Sequence, residues 1–107
     1  MNAHGTGTPL NDIAESKAIV GLFGREVPVV STKGYTGHTL GAAGSTEAAL
    51  AVMAIEGLHP GVAGRSALDP RIEVRVPLVT TRGRFRHVLS NSFAFGGNNT
   101  AVIVSAP

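Results

Sequence analysis

Apolar positions along this chain gather into two helical blocks and several short extended runs. Ile13, Ala14, Ile19, Val20, Leu22 and Phe23 form a broad stripe at helical spacing, and Gly24 is a natural stop. Asp12 with Glu15 three residues on has capping-box spacing: a side-chain acceptor for free amides, then a carboxylate that reaches back. The pattern predicts a helix over 12–23. Val27 to Ser31 is short, β-branched and nearly all apolar, as expected of a strand covered on both faces.

From Gly44 to Leu58 the chain is almost wholly alanine, valine, leucine, isoleucine and methionine, with Glu47 and Glu56 as its only charges. A helix that is apolar all round lies inside a larger body. A chain of 107 residues has little protein to surround it, so the pattern predicts a fragment or a chain that needs a partner. Residues 60–70 read as an irregular connector and 71–81 as extended, through Val74, Val76, Leu78 and Val79. Strands are expected over 87–95 and 100–105, joined by a hairpin turn at Gly96-Gly97-Asn98-Asn99, where glycine and asparagine adopt positive φ cheaply. The order helix, strand, helix, antiparallel pair predicts an α/β layered domain.

Composition narrows the function classes. A net charge of +2, one tyrosine and no tryptophan do not make the dense basic, aromatic surface of a nucleic-acid binder. Zero cysteines exclude disulfides and thiolate metal sites. No apolar run reaches the roughly 18 residues of a membrane span, and the first residues are not a secretory signal. The expected setting is the cytoplasm, with no nucleic acid and no membrane as partner.

Candidate chemistry sits in three glycine-punctuated loops: His4-Gly5-Thr6-Gly7-Thr8-Pro9, Lys33-Gly34-Tyr35-Thr36-Gly37-His38, and Asn91-Ser92-Phe93-Ala94-Phe95-Gly96-Gly97. His4 and His38 read either as capping histidines or as a matched functional pair. Their spacing to His59 and His87 does not suit zinc. Thr6 and Thr8 alternate on an extended loop, so both hydroxyls face one way, either to meet an amide-bearing ligand or to cap the next helix. Lys33, five residues before His38, is either a surface lysine or a cation that keeps that imidazole neutral. Glu47 is a lone carboxylate in a buried helix, where it needs Lys33, the helix N-terminus or a cation. Phe93 and Phe95 read as strand-end core residues or as an aromatic gate. Arg82, Arg84 and Arg86 fall at period two, as on one strand face.

These three motifs, with Asp12 and Glu15 after the first and Leu40-Gly41-Ala42-Ala43-Gly44 after the second, resemble the β-ketoacyl-acyl carrier protein synthases, the elongating condensing enzymes. The motifs keep that family's order, and the resemblance covers essentially the whole chain. It implies the carboxy-terminal half of a thiolase-like fold, a mixed sheet covered by helices and incomplete as a domain, with residues 1–107 forming one partial domain. The family's nucleophilic cysteine belongs to an amino-terminal half, which accounts for its absence here. By the same resemblance His4 and His38 stabilise an enolate and Lys33 tunes His38. Thr6 and Thr8 bond the phosphopantetheine arm of an acyl carrier protein, and Phe93 lies beside Phe95, which gates the acyl pocket on Gly96 and Gly97. Glu47, with Asn2, Ser90 and Asn91, resembles a structural site for a monovalent cation, with no catalytic metal and no covalent cofactor. The partners implied are the carrier protein, the missing amino-terminal half and a second copy in a homodimer. The alternatives are a non-catalytic partner subunit or a small α/β module that binds phosphopantetheine.

Overall fold

The computed structural model describes residues 1–64 and 67–107, so residues 65 and 66 of the expected connector lie outside the described residues. Helix α1 spans Pro9–Phe23, α2 is the single turn Lys33–Thr36, and α3 spans Ala43–Ile55 after a 3₁₀ turn at Leu40–Ala42. The short strands β1 (Leu58–His59) and β2 (Thr81–Arg82) pair antiparallel. The longer β3 (His87–Phe93) and β4 (Asn99–Ser105) form the antiparallel hairpin predicted from the sequence.

Beyond the hairpin, three extended segments complete a mixed sheet. Asn2 bridges Ser90 on one side and Val30 on the other, both parallel, and Pro28 bridges Arg75, again parallel. Bonds from Asn2 N to Leu89 O (2.8 Å), Ala3 N to Val30 O (2.9 Å) and Val29 N to Arg75 O (2.9 Å) tie the rows together. The order across the sheet is therefore β4, β3, residues 1–3, residues 28–30, residue 75. Parallel neighbours at the centre and an antiparallel hairpin at the edge make this a covered sheet, as the apolar run at 27–31 implied.

Strand alternation assigns the two faces. Ala3 and Val29 point to one side, where Ile19 of α1 joins them in the core together with Val74. Asn2, Val30 and Val88 point to the other, beneath Leu50, Ala51 and Ala54 of α3. The layers are α1, sheet, α3.

Several boundaries differ from expectation: the loop expected at Lys33–His38 begins as the helical turn α2, and the strand expected over 87–95 ends at Phe93, before a 3₁₀ turn at Phe95–Gly97. α1 starts at Pro9, because proline fits the first helical position without losing a bond, and Thr8 is the N-cap residue without a side-chain capping bond. Asp12 thus lies inside the helix, and Glu15 is not a capping-box partner. α3 ends at Ile55, not at 58, since Leu58 leaves to pair with Arg82. Of the stretch 71–81, only Arg75 and the start of β2 pair as strand, and among the three arginines at period two only Arg82 lies in a strand.

Candidate active site

Two loops at one end of the sheet carry the histidines. The first leaves the strand segment at Ala3, and Gly5 at φ 38° brings it against Ser31: a Cβ there would fall 2.5 Å from the Ser31 Cβ. Ser31 Oγ donates to the Gly5 carbonyl at 2.8 Å. Only glycine fits such a close approach at positive φ. The second loop turns from α2 through Gly37 into the 3₁₀ turn. There Leu40 holds φ 51°, a left-handed conformation that costs a branched side chain of order 1–2 kcal/mol. That geometry brings the Leu40 amide to 3.2 Å from Nδ1 of His38.

The two imidazoles meet edge to face, with ring centroids 5.5 Å apart and planes at 86°. His4 is buried and also touches Phe93, at 5.3 Å between centroids. His38 is exposed. Each ring has a fixed sense. Nδ1 of His38 accepts the Leu40 amide, and Nδ1 of His4 faces the Lys33 ammonium at 3.4 Å, which can only donate. An accepting Nδ1 leaves the ring proton on Nε2 in both histidines. The pair is thus two neutral N–H donors.

Lys33 and Glu47 are both buried and form an ion pair. The expectation that Lys33 tunes His38 is corrected: its ammonium lies against His4. α2 turns the chain after Lys33, so the residue five positions away in sequence is not its neighbour, whereas His4, twenty-nine positions back, is. The pKa of His4 is lowered from its usual range, first by burial and then by the Lys33 charge, with Glu15 and Glu47 acting in the opposite sense.

Glu15 is the site residue whose role the sequence reading missed. It is buried, and its carboxylate accepts the backbone amides of His4 and Gly5, each at 2.9 Å, and Asn91 Nδ2 at 3.3 Å. In the structure Glu15 shares the buried face of α1 with Ser16 and Ile19, where an ionised group must have partners.

The remaining predicted residues fall around this centre. Thr6 and Thr8 do turn their hydroxyls together, 3.0 Å apart. Phe95 is fully exposed on a turn where Gly96 and Gly97 both have positive φ. Asn2 and Ser90 are buried neighbours across the sheet. Asn2 Oδ1 accepts from Thr32 N (3.2 Å) and Oγ1 (3.3 Å), which fixes the amide and leaves Nδ2 without a partner among the described residues. Glu47 Oε2 is also buried without a hydrogen-bond partner among them, an anionic oxygen that a monovalent cation would satisfy. No group of three or more His, Cys, Asp or Glu stands together among the described residues, so an ion here would rest on carboxylate, amide and carbonyl oxygens.

Comparison with known proteins matches this chain to a family. The profile described as Beta-ketoacyl synthase, C-terminal domain, matches residues 1–60. The 3-oxoacyl-[acyl-carrier-protein] synthase 2 of Mycobacterium tuberculosis is 39% identical over 105 residues, covering 95% of this chain and 25% of its own length. Synthase 1 of Escherichia coli is 36% identical over 107 residues, with 97% and 26% coverage. Among solved structures, the ketosynthase ApeO in complex with its chain length factor ApeC from Xenorhabdus doucetiae superposes with a TM-score of 0.89 at 43% identity, covering 99% of this chain and 28% of that one. The chain spans about a quarter of the length of the curated relatives it matches.

Proposed function

Because the chain belongs to the beta-ketoacyl synthase family, as its carboxy-terminal domain with a thiolase-like α/β fold, we propose that it serves as the carboxy-terminal part of a 3-oxoacyl-[acyl-carrier-protein] synthase. The observation that carries this reading is the histidine pair: two imidazoles 5.5 Å apart, each with its ring proton on Nε2.

In the proposed reaction an acyl group sits on a cysteine supplied from outside these 107 residues. A malonyl thioester on the carrier's phosphopantetheine arm loses CO₂. The electron pair of the broken C–C bond passes into the thioester, and the resulting enolate carbon attacks the acyl group and expels the cysteine thiolate. Negative charge develops on the enolate oxygen, where two preorganised N–H donors lower the barrier most. His4 and His38 supply those donors. Lys33 acts through His4, keeping it neutral and oriented, and Glu15 fixes the loop that presents it. Thr6 and Thr8 bond the amides of the arm, while Phe93 walls the site and Phe95 gates it on the Gly96-Gly97 hinge. A monovalent cation beside Glu47, with Asn2, Ser90 and Asn91 around it, completes the electrostatics by neutralising Oε2.

The carrier protein is the proposed partner, as in the names of the relatives. A chain length factor accompanies one solved ketosynthase, so pairing with a second thiolase-like subunit, identical or not, belongs to the same reading. The setting proposed is the cytoplasm. No helix among the described residues is long and apolar enough to cross a membrane.

Long-range ¹H–¹⁵N spectra of histidine-labelled chain at neutral pH test the site directly. Both rings are expected as the Nε2–H tautomer; a cationic or Nδ1–H ring for either histidine contradicts the enolate role. The isolated 107-residue chain, lacking a nucleophile, is expected to form no 3-oxoacyl product from acyl- and malonyl-carrier protein, and any such product removes the claim that the cysteine comes from elsewhere.

A further inference from the structure

A cavity away from the His4–His38 pair opens between α3 and the sheet. It holds about 380 Å³, at the lower end of the roughly 300–1,000 Å³ typical of small-molecule sites. Its walls are apolar, from Val30 and Val88 on the sheet and Leu50 and Ala54 on α3. One side is built with some care. His59 stacks on Phe85, with centroids 3.9 Å apart and planes at 20°, and its Nε2 donates to the Ala54 carbonyl at 3.0 Å. This pins the segment after β2 to the end of α3 and holds Phe85 as a fixed wall.

Asn2, Thr32, Thr81 and His59 are polar lining residues of this cavity, and its charged side chains, both arginine, have one sign. Arg75 and Arg84 line it and are exposed, and no acidic side chain does so among the described residues. The acids next to Arg75 in sequence are already engaged, Asp69 with Arg71 and Glu73 with Arg25. Neither Arg75 nor Arg84 makes a side-chain hydrogen bond or ion pair among the described residues. Two free guanidinium forks beside a short apolar cavity form a recognisable chemistry: an anionic head taken bidentately, with an aliphatic tail below it.

We propose that this cavity binds a short-chain amphipathic carboxylate, with the carboxylate on Arg75 and Arg84 and the chain between α3 and the sheet. The site uses neither histidine of the enolate pair, although Asn2, proposed beside the cation, also lines the cavity.

The test is a titration of the ¹⁵N-labelled chain with octanoate, octanol and inorganic phosphate, followed by amide shifts. Octanoate is expected to bind saturably, with shifts concentrated at the cavity residues. Octanol and phosphate should each bind at least tenfold more weakly, because each lacks one half of the recognition. Arg84→Gln and Arg75→Gln should each weaken octanoate about tenfold, Arg84→Lys should restore part of the loss, and Ala54→Phe should block the cavity. Amide spectra of the unliganded variants verify that they remain folded. Octanol binding as tightly as octanoate reduces the cavity to an apolar hole, and phosphate doing so reduces the arginines to a surface anion patch. Either result overturns the proposal, as do wild-type affinities in both glutamine variants or the absence of saturable shifts with octanoate.

Discussion

His4 is acted on by groups that oppose one another. Burial favours its neutral form most strongly, Lys33 and His38 add to that effect, and Glu15 and Glu47 work against it. Replacing Lys33 by methionine removes a cation and leaves Glu47 unpaired. Both changes favour the imidazolium, so the His4 pKa should rise in an NMR titration; a fall or no change would show that Lys33 does not act on this ring. The lowered value also has a sign for stability. The unfolded chain binds a proton near pH 6.5 while folded His4 does not, so its contribution is present above about pH 6.5 and is lost as pH falls through the lower folded value. Glu15 acts at the same scale. Glu15→Gln keeps the volume but turns an NH₂ toward a backbone amide or the Asn91 side chain. A loss of about 1–3 kcal/mol is expected, with faster hydrogen exchange at the His4 and Gly5 amides. Unchanged exchange at both would mean that the carboxylate does not hold the loop.

At the scale of elements, the two long helices meet the sheet differently. α1 buries Glu15, Ser16 and Ile19 and leaves Leu22 largely and Phe23 half exposed, although the apolar stripe of the sequence includes Ile19, Leu22 and Phe23 alike. Ile19→Ala should therefore cost about 2–5 kcal/mol of unfolding free energy, and Leu22→Ala within about 0.5 kcal/mol of nothing. Urea titrations that show equal costs would place the buried face of α1 elsewhere. α3 buries Ala43, Glu47 and Ala51, a stripe at i, i+4, i+8 made of two small residues around one charged one. The alanines allow close approach to β3, and the carboxylate between them reaches Lys33. The boundaries of α1 and α3 were legible in the sequence to within a few residues. The face was not, because α3 is too uniformly apolar for its periodicity to distinguish one side from another.

For the whole molecule, α1 and α3 cover the two faces of a sheet whose centre is only a few residues long. Val52 and Met53 of α3, with Val102 and Ile103 of β4, remain substantially exposed. Exposed apolar patches of this kind drive association. Light scattering of the isolated chain should give a mass that rises with concentration. The double variant Val52→Glu/Met53→Lys should shift the population toward monomer. A wild-type chain that stays monomeric at every concentration would mean that this face needs no cover.

The sequence by itself determined the two long helices, the closing hairpin and the glycine-rich loops of His4 and His38. Glycine positions, apolar runs and the spacing of Lys33, His38 and Glu47 are local properties, and local backbone preferences act on them directly. It placed His4 and His38 in one site only through resemblance to a family. The tertiary structure decided which groups touch: Lys33 with His4 rather than His38, Glu15 with the loop of His4 and with Asn91 seventy-six residues away, and Arg84 beside a cavity rather than on a strand face. The physical reason is that a side chain's partners across a sheet depend on strand order. That order follows from burying Ala3, Ile19 and Val29 together, a condition on the whole chain that no short window of sequence contains.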